Sequence, residues 1–296
     1  MGYYDDIWGI SNDTGEIQMK RITKPGVYKG LSYAEYDAIP AIRSSYLKKF
    51  LHCPASALVP DDDTPSLSFG IAAHTIILEG VRVFESLYHV MPKFEGDKRT
   101  SKYKLLKGKV IAEAALKGID ADHVLPYDDF EAIVNMKVNI LKHPTANLLI
   151  GKNEPELSVV WKDAETKLLC KARFDVSPYM DIRAIPDLKT TTNCSEYGFA
   201  KEISKFHYYL SAAMYLEGAS IALKEKIDLF VVIAVEKKPP YKLEVHELSP
   251  EYIERGTVAF HKALRKEKKC REAKFYEPWN NGGIIVQEPP PYLLAE

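Results

Sequence analysis

Cysteine is scarce. The chain has four in 296 residues, and Cys53, Cys170, Cys194 and Cys270 stand far apart with no C-x-x-C pair. That argues against a zinc ribbon and gives no basis for a disulfide framework. An excess of charge is missing too: 40 Lys and Arg against 41 Asp and Glu leave a formal net charge of -1. The whole chain is not a polycation, so any affinity for nucleic acid must come from a local concentration of positive charge. No apolar run approaches the length that spans a bilayer. The opening MGYYDDIWGISNDTGE is acidic and mixed, unlike a secretory signal or a transit peptide. Asp6 stands where a myristoylation signal has Ser or Thr. A cytoplasmic protein with no membrane partner is the expectation. Internal repeats and a linker dividing two domains are also lacking.

Hydrophobic residues make up 46% of the chain, enough for one substantial core. We read residues 1–30 as an N-terminal arm, 31–270 as a single domain and 271–296 as a Gly- and Pro-rich C-terminal tail. Within the domain, 32–37 forms a helical turn and 46–51 a helix begun by Ser44-Ser45. The three aspartates between Val59 and Pro65 make a solvated loop. The segment 67–79 is helical, with Leu67, Ile71, His74 and Leu78 on one apolar face. His74 there is either a hydrogen-bonded core histidine or a metal ligand. Residues 81–92 read as extended. Helices follow at 110–116 and 130–141, strands at 156–161 and 168–176 joined by a turn, and a third strand carrying Asp187. Two helices over 195–204 and 207–222, a buried strand over 227–236, an edge strand over 241–248 and a mixed-charge helix over 251–268 complete the pattern. This is an α+β fold, sandwich-like, with a mixed central β-sheet flanked by helices.

The chemistry concentrates in KARFDVSPYMDIRAIPDLKTTT, residues 171–192. Strand alternation puts Lys171, Arg173 and Asp175 on one face, and Ile185, Asp187 and Lys189 on one face of the next strand. Antiparallel pairing of the two would bring Asp175 and Asp187 together with Lys189 one step away. Two carboxylates and a lysine suit a divalent cation and phosphodiester hydrolysis. Pro186 cannot donate to a ladder, so this strand is expected to be irregular or unpaired there. Glu156 is either another carboxylate near the site or a hydrated strand end. The run KRTSKYKLLKGK, residues 98–109, holds Lys98, Arg99, Lys102, Lys104, Lys107 and Lys109 without an acid. It is either a solvated helix face or a surface that follows phosphates.

These pieces, in order, resemble the PD-(D/E)xK nuclease superfamily, and within it the RecE-like (exonuclease VIII-type) phage and prophage exonucleases. The resemblance rests on IPAIRSSYLKK at 39–49, FGIAAHTIILE at 69–79, CKARFD at 170–175, DLKTT at 187–191 and AAMYLEG at 212–218. It implies a PD-(D/E)xK core with Asp175 and Asp187 as metal-binding carboxylates. It further implies His74 and the Leu188 carbonyl as additional ligands, and Lys189 as the residue that orients the attacking water and steadies charge on the phosphate. Glu156 matches an acidic residue at the head of the preceding strand, and Lys171 and Arg173 are implied phosphate contacts. One departure stands out. Relatives often carry His-x-Gln-Ala-Ala-x-Tyr after the lysine, whereas this chain reads YLSAAMY at 209–215. Ser211 has a shorter reach than glutamine. Either Tyr208, Tyr209 or Tyr215 assumes part of the glutamine's role, or strand positioning and rate change. Iron–sulfur relatives need four clustered cysteines; with Cys270 alone near the end, no such cluster is expected.

The resemblance therefore implies a Mg2+-dependent exonuclease, with Mn2+ as a possible substitute. Its substrate would be double-stranded DNA ends, cut 5′ to 3′ in phage-type recombination. A homo-oligomer, a RecT-like single-strand annealing partner and a bacterial, phage or prophage setting belong to the same expectation. An endonuclease of repair or restriction type and a catalytically weak DNA-end-binding protein are the alternatives.

Overall fold

The computed structural model describes residues 22–60, 64–151, 154–278 and 283–289. The aspartate loop at 61–63, most of the arm and much of the tail fall outside them. The order along the chain opens with β1 (Gly26–Tyr28), α1 (Tyr33–Asp37), α2 (Ser44–His52) and α3 (Pro65–His74), which runs on as a π-helical turn over Thr75–Glu79. Next come α4 (Val81–Leu87), β2 (His89–Val90), α5 (Ser101–Leu116), β3 (Val124–Leu125), α6 (Tyr127–Lys142) and α7 (Pro144–Gly151). The second half holds β4 (Pro155–Lys162), β5 (Leu169–Val176), β6 (Ala184–Thr191), α8 (Glu196–Lys205) and α9 (Tyr208–Leu223). It closes with β7 (Leu229–Glu236), β8 (Leu243–Glu247) and α10 (Pro250–Ala273). No helix among the described residues is long and apolar enough to cross a membrane.

The α+β reading holds, with a sheet in two parts. β1, β4 and β5 form an antiparallel unit, and β6, β7 and β8 a mixed one in which β6 runs parallel to β7. β2 and β3 make a short parallel pair apart from both. Alternation sorts the side chains cleanly. Leu157, Val159 and Trp161 of β4 and Cys170, Ala172 and Phe174 of β5 pack under α2, α9 and α10. In β7, Phe230, Val232 and Ala234 join that same core, while Val231, Ile233 and Val235 face a second one built on α3, α6 and α7. Being covered on both faces is why β7 reads as an unbroken apolar run.

Four expectations need correcting. β6 is not the third strand of an antiparallel meander: it lies alongside β5 but pairs with β7, a partner far along the chain. Residues 81–87 are helical, because Gly80 at φ 95° ends the π-helical turn and starts α4 at once. The buried face of α3 is Phe69, Ala72, Ala73, Ile76 and Ile77, while Leu67 and Ile71 are exposed. That helix is apolar almost all round, so periodicity alone could not choose its inner face. Lastly, Gly26–Tyr28, inside the segment read as an arm, is a strand laddered to β4.

Pro186 does not interrupt its strand; Pro186 and Val231 stay in register. Leu188 N–H points to Asp175 and Ala184 N–H to Tyr179 O. Amides two apart point the same way, so Pro186 turns its missing donor to that same edge, where β6 forms no ladder with β5.

α9 and α10 approach closely at Gly256, where an added Cβ would lie 2.1 Å from the Tyr209 carbonyl oxygen. Gly256→Ala should therefore lose about 1–3 kcal/mol despite alanine's better helix propensity, read as a lower urea midpoint. An unchanged or raised midpoint would show that the two helices separate freely.

Candidate functional site

The seam between β5 and β6 collects the charged residues. β4 and β5 are locked by their hairpin register, with Leu157 opposite Phe174, which places Asp175 near the end of β5. Across the seam, the Asp175 carboxylate accepts the Leu188 N–H at 2.8 Å. A side chain thus takes the bond that a strand ladder would have made. Asp187 and Lys189 share one face of β6, as alternation requires. Lys189 Nζ lies 2.5 Å from Asp187 Oδ2, 3.3 Å from the Leu188 carbonyl oxygen and 3.8 Å from Asp175 Oδ2.

His74 arrives from the end of α3. Its Nε2 is 2.8 Å from the Leu188 oxygen. Its Nδ1 faces Asp175 Oδ1 at 3.5 Å. Both are atoms of types that can ligate a metal ion. The donor set of two carboxylates, one carbonyl and one imidazole fits Mg2+ or Mn2+.

Burial drives the electrostatics. Asp187 is buried, and that burial raises its pKa, with Lys189 opposing and Asp175 reinforcing the shift. Burial also works against the Lys189 ammonium, but Asp187 and Asp175 outweigh it and hold its pKa well above the ordinary value. Tyr208 and Tyr215 feel the same cluster. Burial first, with the nearby carboxylates contributing, pushes each phenol up to about 12. The Lys189 ammonium lies 5.7 Å from the Tyr208 ring centre. Ser211 is half-buried and makes no side-chain hydrogen bond among the described residues.

Other expected residues stand differently. Lys171 is not a phosphate contact. It is buried, and its ammonium donates to the carbonyl oxygens of Tyr36, Asp37 and Ile39 at 2.8–2.9 Å. Burial pushes its pKa down to about 8, while three acceptors and the Tyr36 ring at 4.7 Å satisfy the charged form. Glu156 is close to the site, but its carboxylate is paired with Arg173 Nε. Arg173 also stacks near Tyr33 and Tyr36, and its buried Nη1 has no partner among the described residues. On the basic run, Lys98 pairs with Asp128 at 2.5 Å and Arg99 with Asp97 at 2.9 Å. Lys102 and Lys109 instead line a shallow groove with Lys93, Phe94 and Leu105.

Sequence reasoning missed Lys48, which α2 brings over the Tyr208 ring at 5.2 Å; its one signal was its place in the 39–49 motif. It also missed Asp163, Glu217 and His261, a cluster of metal-binding types in and beyond the β4–β5 turn, at the opposite end of β5 from Asp175. There, His261 Nε2 is 2.9 Å from Glu217 and Nδ1 is 3.6 Å from Asp163. Asp163 also accepts the Thr166 N–H and hydroxyl. One imidazole between two carboxylates ties the turn to α9 and α10.

A family described as a PDDEXK-like domain of unknown function matches residues 43–282. No curated protein matches the chain. Among solved structures, a "putative exonuclease" from Eubacterium rectale is similar at a TM-score of 0.57 and 12% identity. That likeness covers 90% of this chain and 98% of the other, and at such identity it shows a shared fold.

Lys171→Met should unfold at lower urea, losing about 2–4 kcal/mol, because three buried carbonyls lose their donor. A stability equal to wild type would mean that the ammonium is not the tie between β5 and the α1 segment.

Proposed function

Because the chain belongs to this PDDEXK-like family, we propose that it is a metal-dependent nuclease acting on double-stranded DNA. The observation that carries this reading is the convergence of Asp187, Asp175 and the Leu188 carbonyl on one cationic point, with His74 beside it. Asp175, Asp187, Leu188 and His74 would hold the ion. When bound, it would supply positive charge to the oxygens of the scissile phosphate. Lys189 keeps a fixed ammonium beside these ligands, where it orients the attacking water and offsets charge that develops on the phosphate. Burial of Asp187 keeps bulk water from screening that pair.

The finer reading is an exonuclease that degrades linear duplex from its ends, 5′ to 3′, with Mg2+ and with Mn2+ as a substitute. The motif resemblance to RecE-like enzymes supports the polarity, the homo-oligomer, the annealing partner and the phage-type recombination setting. The name of the Eubacterium rectale structure points the same way on exonuclease action. The resemblance would set Tyr208, Tyr215, Ser211 and Arg173 along the DNA strand; of these, Tyr208 lies beside Lys189. The groove of Lys102 and Lys109 offers phosphate contacts farther out, whereas Lys98 and Arg99 already have carboxylate partners.

The test is digestion of 5′- or 3′-labelled linear duplex beside a closed circle, with Mg2+ or EDTA, by wild type and Asp187→Ala. Loss of the linear form from its 5′ label, needing both Mg2+ and Asp187, is the expected result. Cutting of the circle would identify an endonuclease, and no metal-dependent loss of either would leave DNA-end binding. Salt dependence separates the basic residues. Lys102→Gln should lower the slope of log K against log salt by about one, and Lys98→Gln by less. Equal slopes for both variants would remove the groove from the DNA path.

A further inference from the structure

Lys48 has no role in the metal-binding set, yet it meets the same aromatic ring as Lys189. It projects from α2 with Nζ 5.2 Å from the centre of the Tyr208 ring, and Lys189 Nζ is 5.7 Å from the same centre. Two ammonium groups therefore share one aromatic ring. Their commitments differ sharply. Lys189 has three oxygens within 3.8 Å, so its charge is largely matched by Asp187 and Asp175. Lys48 is half-buried, and among the described residues it has neither an ion pair nor a hydrogen bond. Burial first, and the like charge of Lys189 second, push its pKa down to about 8, with Asp187 opposing. A partly desolvated ammonium beside another cation, with only a ring face and a distant carboxylate to balance it, is costly to hold. An anion placed against it would remove that cost.

We propose that Lys48 is a second phosphate-binding residue of this site, holding the DNA phosphate that lies against Tyr208 while Lys189 serves the reacting one. The proposal rests on the nuclease reading and deepens it. It gives Tyr208 a definite task as the wall that keeps the two ammonium groups at fixed positions. It also supplies a cation from α2 next to α9, the helix on which Ser211 replaces the longer glutamine of similar chains.

Full-length protein would be compared as wild type, Lys48→Met, Lys48→Arg and Lys189→Ala. Methionine keeps the aliphatic stem and removes the charge; arginine keeps the charge. Binding of a labelled blunt duplex would be followed in EDTA across a NaCl series, and cleavage in Mg2+ as separate kcat and KM. Lys48→Met should lower the salt slope by about one, the value for one lost phosphate contact. Its kcat/KM should fall about 10- to 100-fold, with Lys48→Arg near wild type in both. A merely structural Lys48 would change the urea midpoint and leave the slope alone. A wild-type slope in Lys48→Met, or an equal drop in Lys48→Arg, overturns the proposal. Failure of the nuclease reading would look different: wild type would bind the duplex and never cut it, and the salt slope would still decide for or against Lys48.

Discussion

The structure depends on one hydrogen bond that replaces a ladder. Leu188 N–H is given to the Asp175 carboxylate, so β5 and β6 meet through a side chain instead of through paired backbones. Everything at the site follows from this seam. With no ladder across it, the edge of β6 tolerates Pro186, which lacks the donor that a ladder would need. The Leu188 carbonyl on the same edge stays available to His74 and Lys189. β7 supports the far edge of β6 in unbroken parallel register, so the seam is open without being loose.

The residues that frame the seam are held by strain and by buried charge. His207, between α8 and α9, has a left-handed backbone at φ 51°, unusual for a residue with a side chain. That corner starts α9 at Tyr208 and sets its ring over Lys189. His207 also meets His52 of α2, ring centres 5.6 Å apart, which fixes the helix that carries Lys48. Glu156, at φ 62°, is a second such outlier beside the site, and its carboxylate positions Arg173. Lys171 is the anchor on that side, nailing β5 to the backbone of the α1 segment through three carbonyls. Non-glycine residues with positive φ persist where surrounding contacts overdetermine them, and here two of them flank one cluster.

Much of this was legible in the sequence because period-two alternation is a local property. The inward set Leu157, Val159 and Trp161, the shared face of Asp187 and Lys189, and the buried run of β7 needed only neighbours in the chain. What was not legible depended on distant partners. Nothing in residues 184–191 says that β7, whose Leu229 pairs with Ala184, outcompetes β5 for the β6 ladder. The inner face of α3 was ambiguous because Leu67 and Ile71 are as apolar as Phe69 and Ile76; the sheet beneath decides between them. Lys171 and Lys189 are the same residue type, each in register with an aspartate of its own strand. One is buried among carbonyls and the other faces carboxylates, a difference of surroundings that alternation does not encode. Lys48 was hidden for the same reason: its importance lies in a ring supplied by α9.

A fold selected only for stability would not be built this way. Replacing a buried ion pair with apolar groups of similar volume is often neutral or stabilising, and a paired β5–β6 edge would recover the backbone bonds that the seam gives up. Instead the chain gathers Asp175, Asp187, His74, Lys189 and Lys48 where two sheet units fail to join. The Asp187–Lys189 pair removes much of the cost of burying each partner, but it leaves Asp175 facing the His74 ring and Lys48 without a counter-ion among the described residues. Those residual imbalances have opposite signs. A cation satisfies the first and an anion the second. The site is thus complementary to a bound pair of opposite charges, which is what a divalent ion together with a phosphate presents.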